Sequence, residues 1–201
     1  DIDFSSVTVT STIDADIANI TFGAVTMGSG AVVFANDNMK ATSFSDMEKV
    51  AVAANSTVTL DGDLVFGTNV ESHVCRYVFE GGKFVVTGKI IATPEQTKNL
   101  YPCENAPGWI SAKGLVNNAA GNYFYLVQAQ NWQANWLIGE DGISGSRRFF
   151  VGSSGKGTAT IKATADFSAS AGIIQYNNLV LEPDGHEITL GTNVTVFAGG
   201  I

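Results

Sequence analysis

The chain has 201 residues and a formal net charge of −8, from 19 acidic and 11 basic side chains. That charge repels nucleic-acid phosphates and anionic lipid, and the one adjacent basic pair, Arg147-Arg148, is far short of a phosphate-tracking stripe. A hydrophobic fraction of 45% excludes a disordered chain, and no apolar run approaches the roughly 18 residues of a membrane-spanning helix.

Charged residues make up only 15% of the chain, while glycine reaches 22 residues. Extracellular β proteins share this balance. The first residues, Asp1 to Val7, lack the basic-then-apolar order of a signal peptide, so the expectation is that any secretion signal has been removed or lies outside this sequence.

From Ile2 to Phe34 the chain alternates strands and turns: Val7–Thr10, Ile17–Phe22, Ala24–Met27 and Ala31–Phe34, separated by Gly23, Gly28-Ser29-Gly30 and Asn36-Asp37-Asn38. Strands this short and this frequent fit a coil of stacked rungs, and they also fit a sandwich. Ser45-Asp46-Met47-Glu48 has the form of a capping box, but Val50-Ala51-Val52 alternates and is read as a strand. Thr57–Leu60, Asp61-Gly62-Asp63 and Leu64–Gly67 form a strand, a turn and a strand. The same unit recurs at Glu187–Gly191 and Asn193–Phe197, which points to repetition.

Thr93-Pro94-Glu95-Gln96 predicts a helix start, with a Thr cap and Pro at the first helical position; Pro102 limits its length. Together with the two cysteines, Cys75 and Cys103, it suggests an irregular excursion from the β body over residues 75 to 135. Beyond Ile138 the chain returns to short strands. Its ending on Val-Thr-Val-Phe-Ala-Gly-Gly-Ile reads as cut within a pattern, so residues 1 to 201 are expected to form a single β domain that is a fragment of a longer chain.

Several residue groups bear on chemistry. Cys75 and Cys103 are an even pair in a low-charge chain, which favours a disulfide over two buried thiols. Its loop length implies roughly 3.5 kcal/mol of stabilisation. With only His73 nearby the cysteines do not make a zinc set. Asp61 and Asp63 flank Gly62 and are candidate calcium ligands, against the plainer reading of turn aspartates; no other cofactor is implied. Asp14 with Asp16 and Glu140 with Asp141 are further carboxylate pairs of the kind that β-helical hydrolases and lyases employ.

The second histidine, His186, lies between Asp184 and Glu187 in a turn, and no nucleophile elbow accompanies it. Aromatic residues concentrate between Trp109 and Trp136, where Trp109, Tyr123, Tyr125, Trp132 and Trp136 are candidates for stacking on a glycan, with Asn131, Gln133 and Asn135 as hydrogen-bonding neighbours. The alternative is that Trp132 and Trp136 cap the core. The sequons at Asn19, Asn55 and Asn193 arise readily in so Asn-, Ser- and Thr-rich a chain.

The runs Trp-Leu-Ile-Gly-Glu-Asp-Gly-Ile from Trp136, Gly-Thr-Ala-Thr-Ile-Lys-Ala-Thr-Ala-Asp-Phe from Gly157 and Leu-Glu-Pro-Asp-Gly-His-Glu-Ile-Thr-Leu-Gly from Leu181 resemble the repeats of bacterial autotransporter-type surface proteins. The resemblance covers about the last third of the chain, with a looser echo at 55 to 68; the cysteines depart from it. It implies an all-β, right-handed parallel β-helix of the pectin-lyase type, with an antiparallel lectin-like sandwich as the alternative. The expected function is a non-catalytic segment of a secreted or cell-surface protein, structural or adhesive, with glycans or cell-surface proteins as partners. The competing expectation is a polysaccharide lyase or glycoside hydrolase, which requires a groove with at least two carboxylates and Lys or Arg beside them.

Overall fold

A computed structural model describes residues 1–9, 11–13, 19–28, 32–34, 38–41, 43–44, 50–53, 55–67, 77–78, 82–100, 108–120, 123–127, 133–152, 157–176 and 178–192. Among these residues every element is a β-strand, and the strands follow a three-part cycle. It begins with β1 (Ile2–Asp3), β2 (Ser11–Ile13) and β3 (Asn19–Thr21), then β4 (Ala24–Thr26), β5 (Val32–Phe34) and β6 (Asn38–Ala41). Next come β7 (Ser43–Phe44), β8 (Val50–Val52) and β9 (Thr57–Leu60), followed by β10 (Leu64–Phe66), β11 (Tyr77–Val78) and β12 (Lys83–Val86).

The later coils continue with β13 (Lys89–Ala92), β14 (Trp109–Asn117), β15 (Phe124–Val127), β16 (Gln133–Ser144), β17 (Phe149–Val151) and β18 (Thr158–Ala163). The last described strands are β19 (Phe167–Ala169), β20 (Ile173–Gln175), β21 (Asn178–Glu182) and β22 (Ile188–Leu190).

Every strand pairing among the described residues is parallel and joins strands that hold the same place in successive coils. Three faces result. The long face is the ladder β3-β6-β9-β12-β14-β16-β18-β21. The leading face contains β1-β4-β7 and then β10, β13, the second halves of β14 and β16, β19 and β22. The middle face contains β2-β5-β8-β11 and β15-β17-β20, with Leu100 bridging to Phe124. The offset between partners runs from 18 residues, Val32 to Val50, up to 28, Gly114 to Gly142. The fold is therefore a parallel β-solenoid, a parallel β-helix, and the antiparallel sandwich is excluded.

Alternation explains why these residues stack. On the long face Met39, Val58, Phe84, Ile110, Trp136 and Ile161 form one inward column in register, each at most 1% exposed. Beside the large Trp136 the flanking inward positions are small, Ala112, Ala134 and Ala159, so bulk is matched by space. Burying each such large side chain is worth about 1.5–3 kcal/mol. On the middle face Phe124 and Phe149 meet edge-on with ring centroids 4.8 Å apart.

β14 and β16 are longer than the other strands because they turn the corner between two faces without a break; the register shifts between Ala112 and Gly114. Gly142 at this bend has φ +62 and lies directly against the Ser168 backbone, a conformation and a clearance that suit only glycine.

The helix expected at Thr93–Gln96 is instead a single turn, with Gln96 N–H donating to Thr93 O at 3.0 Å. Thr93 N–H is still engaged by Phe66 O of the preceding coil, and Leu100 N–H already returns to the ladder through Tyr123 O. Too few residues separate those anchors for a helix to propagate. Within 75 to 135, β11 to β15 and the start of β16 belong to the regular ladders, while residues 75–76, 79–81, 101–107, 121–122 and 128–132 of the expected excursion lie outside the described residues. The capping-box stretch Ser45–Glu48 lies outside the described residues, while Val50–Val52 is the strand expected.

Candidate functional site

The corner after β9 carries Asp61 and Asp63. Asp61 accepts from Lys40 Nζ at 2.9 Å, one coil earlier, and from Thr87 Oγ1 at 3.1 Å, one coil later. The Lys40 and Thr87 contacts hold its carboxyl below the usual carboxylate range. Asp63 Oδ1 accepts the backbone N–H of Lys89 at 2.8 Å. Both carboxylates thus tie neighbouring coils together, and no third carboxylate or histidine joins them as a metal set among the described residues.

Of the described aromatic candidates, Tyr123 and Tyr125 come together, while Trp109 and Trp136 stand apart on the two sides of the long face. Trp136 is 0% exposed, and its indole N–H donates to Leu126 O at 3.1 Å. It is a core residue and offers no ring face to a sugar. Tyr125 is 7% exposed, Tyr123 is 47% exposed, and both meet Phe150 on the middle face, at centroid distances of 5.9 and 4.4 Å. Tyr123 stands at 73° to Phe150 and at 64° to Tyr125, so the three rings make no common plane. Trp109 is half-buried on the outside of the long face, where the inward position beside it is Ile110. Trp132, Asn131, Cys75, Cys103, His73, Asp14 and Asp16 lie outside the described residues.

A groove of about 390 Å³ opens on the leading face along β16, β19 and β22. Glu140, Asp141, Asp166 and Glu187 line it, with the hydroxyls of Ser144, Ser168, Ser170 and Thr189. Glu140 faces Lys113 Nζ at 3.4 Å, and Asp141 faces Lys89 Nζ at 3.5 Å. The Glu140 carboxyl is held below its usual range, first by its own backbone N–H and then by Lys113.

Asp166 Oδ1 accepts Glu187 N–H at 2.8 Å and lies 3.5 Å from His186 Nδ1. His186 sits in a tight Pro183–His186 turn in which Asp184 and Gly185 both have positive φ, the geometry an Asp-Gly pair favours. Lys162, on the preceding coil, meets Asp184 at 2.9 Å, and its pKa is raised by that contact.

Of the sequence candidates, Glu140 and Asp141 do share a groove. Asp166, Glu187 and the hydroxyls were not anticipated. Residues 140, 166 and 187 are separated by 26 and then 21 residues, the local offsets of the ladder, so the sequence showed acids placed shortly before apolar residues but no constant repeat to group them. Compared with family descriptions, curated proteins and solved structures, the chain has no match.

Proposed function

We propose that this chain is a non-catalytic segment of a secreted or cell-surface bacterial protein with a structural or adhesive role, of the autotransporter-type kind that its repeats resemble. The supporting observation is how the corner and groove carboxylates are employed. Asp61, Asp63, Glu140, Asp141, Asp166 and Asp184 each bond a residue on another coil. Such groups act as staples along a shaft whose stability accumulates coil by coil. A Cys75–Cys103 bridge and exposure to glycans or cell-surface proteins are part of the same proposal.

A second reading is a polysaccharide lyase or glycoside hydrolase. The groove supports it, because it places Glu140 and Asp141 beside Lys113 and Lys89. Against it, Glu140 is shifted in the direction opposite to that of a general acid.

Incubation with a panel of soluble polysaccharides, with and without calcium, separates the two. The shaft reading expects retention of sugars or cells without release of product. Product release abolished by Glu140→Gln or Asp141→Asn overturns it, and calcium-dependent release abolished by Asp61→Asn or Asp63→Asn would do so through the other corner.

A further inference from the structure

The outside of the long face between β9 and β18 carries no acidic side chain at its described positions. Its described outward positions from β9 to β18 are Thr57 and Thr59, Lys83 and Val85, Trp109 and Ser111, Gln133, Asn135 and Leu137, and Thr158, Thr160 and Lys162. Lysine is the only charged residue type among these positions, in a chain of net charge −8. The same face carries an acid, Glu182 on β21, in register beside Lys162, with β14, β16 and β18 between it and the strand of Lys83. Lys162 is engaged by Asp184, whereas Lys83 is exposed and makes no ion pair among the described residues.

Register places Lys83 directly beside Trp109, Trp109 beside Asn135, and Asn135 beside Thr160. Adjacent strands lie about 4.8 Å apart, so a cation, an aromatic ring, an amide and a hydroxyl succeed one another along the solenoid axis at an even, short spacing. Trp109 is held by its backbone N–H to Gly82 O at 3.2 Å, and Asn135 Nδ2 donates to Gly108 O at 3.2 Å. The column is therefore fixed to the rigid sheet.

We infer that this column is a docking line for an extended glycan carrying anionic groups, with Trp109 stacking on a pyranose ring and Lys83 pairing with a sugar carboxylate or sulfate. The inference rests on the adhesive reading above and names its ligand class. An extended chain of pyranoses has a repeat comparable to the coil spacing, so successive rings can meet successive coils. One free lysine and one ring do not suffice for a nucleic acid, whose binding requires many phosphate contacts. A flexible sugar chain with sparse charges needs few. Around Lys83 and Trp109 the neighbouring described outward positions carry no acid, Glu182 lying beyond Lys162 at the other end of the face, which lessens the repulsion that the rest of the surface would exert.

The test measures binding of the purified chain to immobilised dextran sulfate, polygalacturonate and uncharged dextran, using wild type, Lys83→Gln, Trp109→Ala, Trp109→Phe and Tyr123→Ala. Thermal melts of the same proteins confirm folding, and Lys83→Gln, at an exposed position, keeps the test valid should Trp109→Ala fail to fold. The expected result is binding to one or both charged polymers but not to dextran, weakening with added salt. Lys83→Gln and Trp109→Ala each weaken it about tenfold, Trp109→Phe retains most of it, and Tyr123→Ala leaves it unchanged. Preference for the sulfated or the carboxylated polymer identifies which anion is read. Equal binding to dextran, or binding unaffected by Lys83→Gln and Trp109→Ala, overturns the inference while leaving an adhesive shaft. Absence of binding to all three polymers overturns it too, and product release would overturn the non-catalytic reading itself.

Discussion

Asp63 Oδ1 accepts the backbone N–H of Lys89 at 2.8 Å, and Gly88, the residue before Lys89, lies directly beneath that carboxylate. The arrangement recurs at the start of the chain, where Asp1 Oδ1 accepts Ala24 N–H at 2.9 Å above Gly23. Near the end Asp166 accepts Glu187 N–H, with His186 in the place of the glycine. Each of these aspartates stands immediately before a strand of the leading face. A short side chain with an acceptor at its tip reaches the next coil's first N–H, which the ladder would otherwise leave unmatched at the bend.

Gly88 should therefore resist substitution. A Cβ there would meet Gly62 O at 2.8 Å and Gly62 C at 2.9 Å as well as the Asp63 carboxylate, and backbone atoms cannot simply swing aside. Gly88→Ala is expected to destabilise by about 1–3 kcal/mol, measured by chemical denaturation. Asp63→Ala should lose more stability than Asp63→Asn, which keeps the acceptor.

Trp136 tests the core. Replacing it with Ala empties the largest fully buried side chain position and should cost about 3–5 kcal/mol. Trp136→Phe keeps most of the volume but leaves Leu126 O without its 3.1 Å donor, a loss of about 1–3 kcal/mol. Equal stability of Trp136→Ala and wild type would contradict the buried placement.

Asn117 is 0% exposed on an inward position of the leading face, where its Nδ2 donates to Arg148 O at 2.7 Å and its Oδ1 accepts Ala119 N–H at 3.2 Å. Asn117→Ala removes both bonds and should cost about 1–3 kcal/mol. Asn117→Asp is informative about pH. Burial would raise the new carboxyl's pKa, so the folded state favours the protonated acid. Its deficit should be smallest at pH 3–4, near the unfolded value of about 3.9, and should grow as pH rises through the folded value.

Asp61 predicts the opposite pH trend. Lys40 and Thr87 lower its folded pKa, so its contribution is fully present above the unfolded value and is lost as pH falls through the lowered one. The wild-type melting temperature should decline below about pH 4, and Asp61→Asn should decline less steeply over the same interval. Added salt should shrink the difference between the two, since the Lys40–Asp61 pair is exposed.

Much of the fold was legible in the chain itself. Short strands rich in β-branched residues and closed by Gly, Asn and Asp determined an all-β protein; the strand, turn, strand unit at residues 57 to 67 that recurs near the end pointed to repetition. The local signals failed where competing anchors lay outside the local window. Thr93–Gln96 reads as a helix cap, yet Phe66 O and Tyr123 O hold its neighbours in the ladder. Val7–Thr10 reads as a strand, yet Val7 N–H closes a turn onto Phe4 O at 2.8 Å and the strand begins at Ser11.

The candidate sites were less legible, because alternation shows that a residue faces in or out only once register is known. Trp109 and Trp136 look alike in sequence; the pairing of Ile110 with Trp136 puts one ring outside and the other in the core. The acidic groove joins residues 140, 166 and 187, and the lysine-bearing column joins 83, 109, 135 and 160. Composition and the short, turn-closed strands determined an all-β chain but fitted stacked coils and a sandwich alike. Only the tertiary stack decided which distant residues share a face, because coil lengths vary from 18 to 28 residues and no fixed spacing in the sequence could align them.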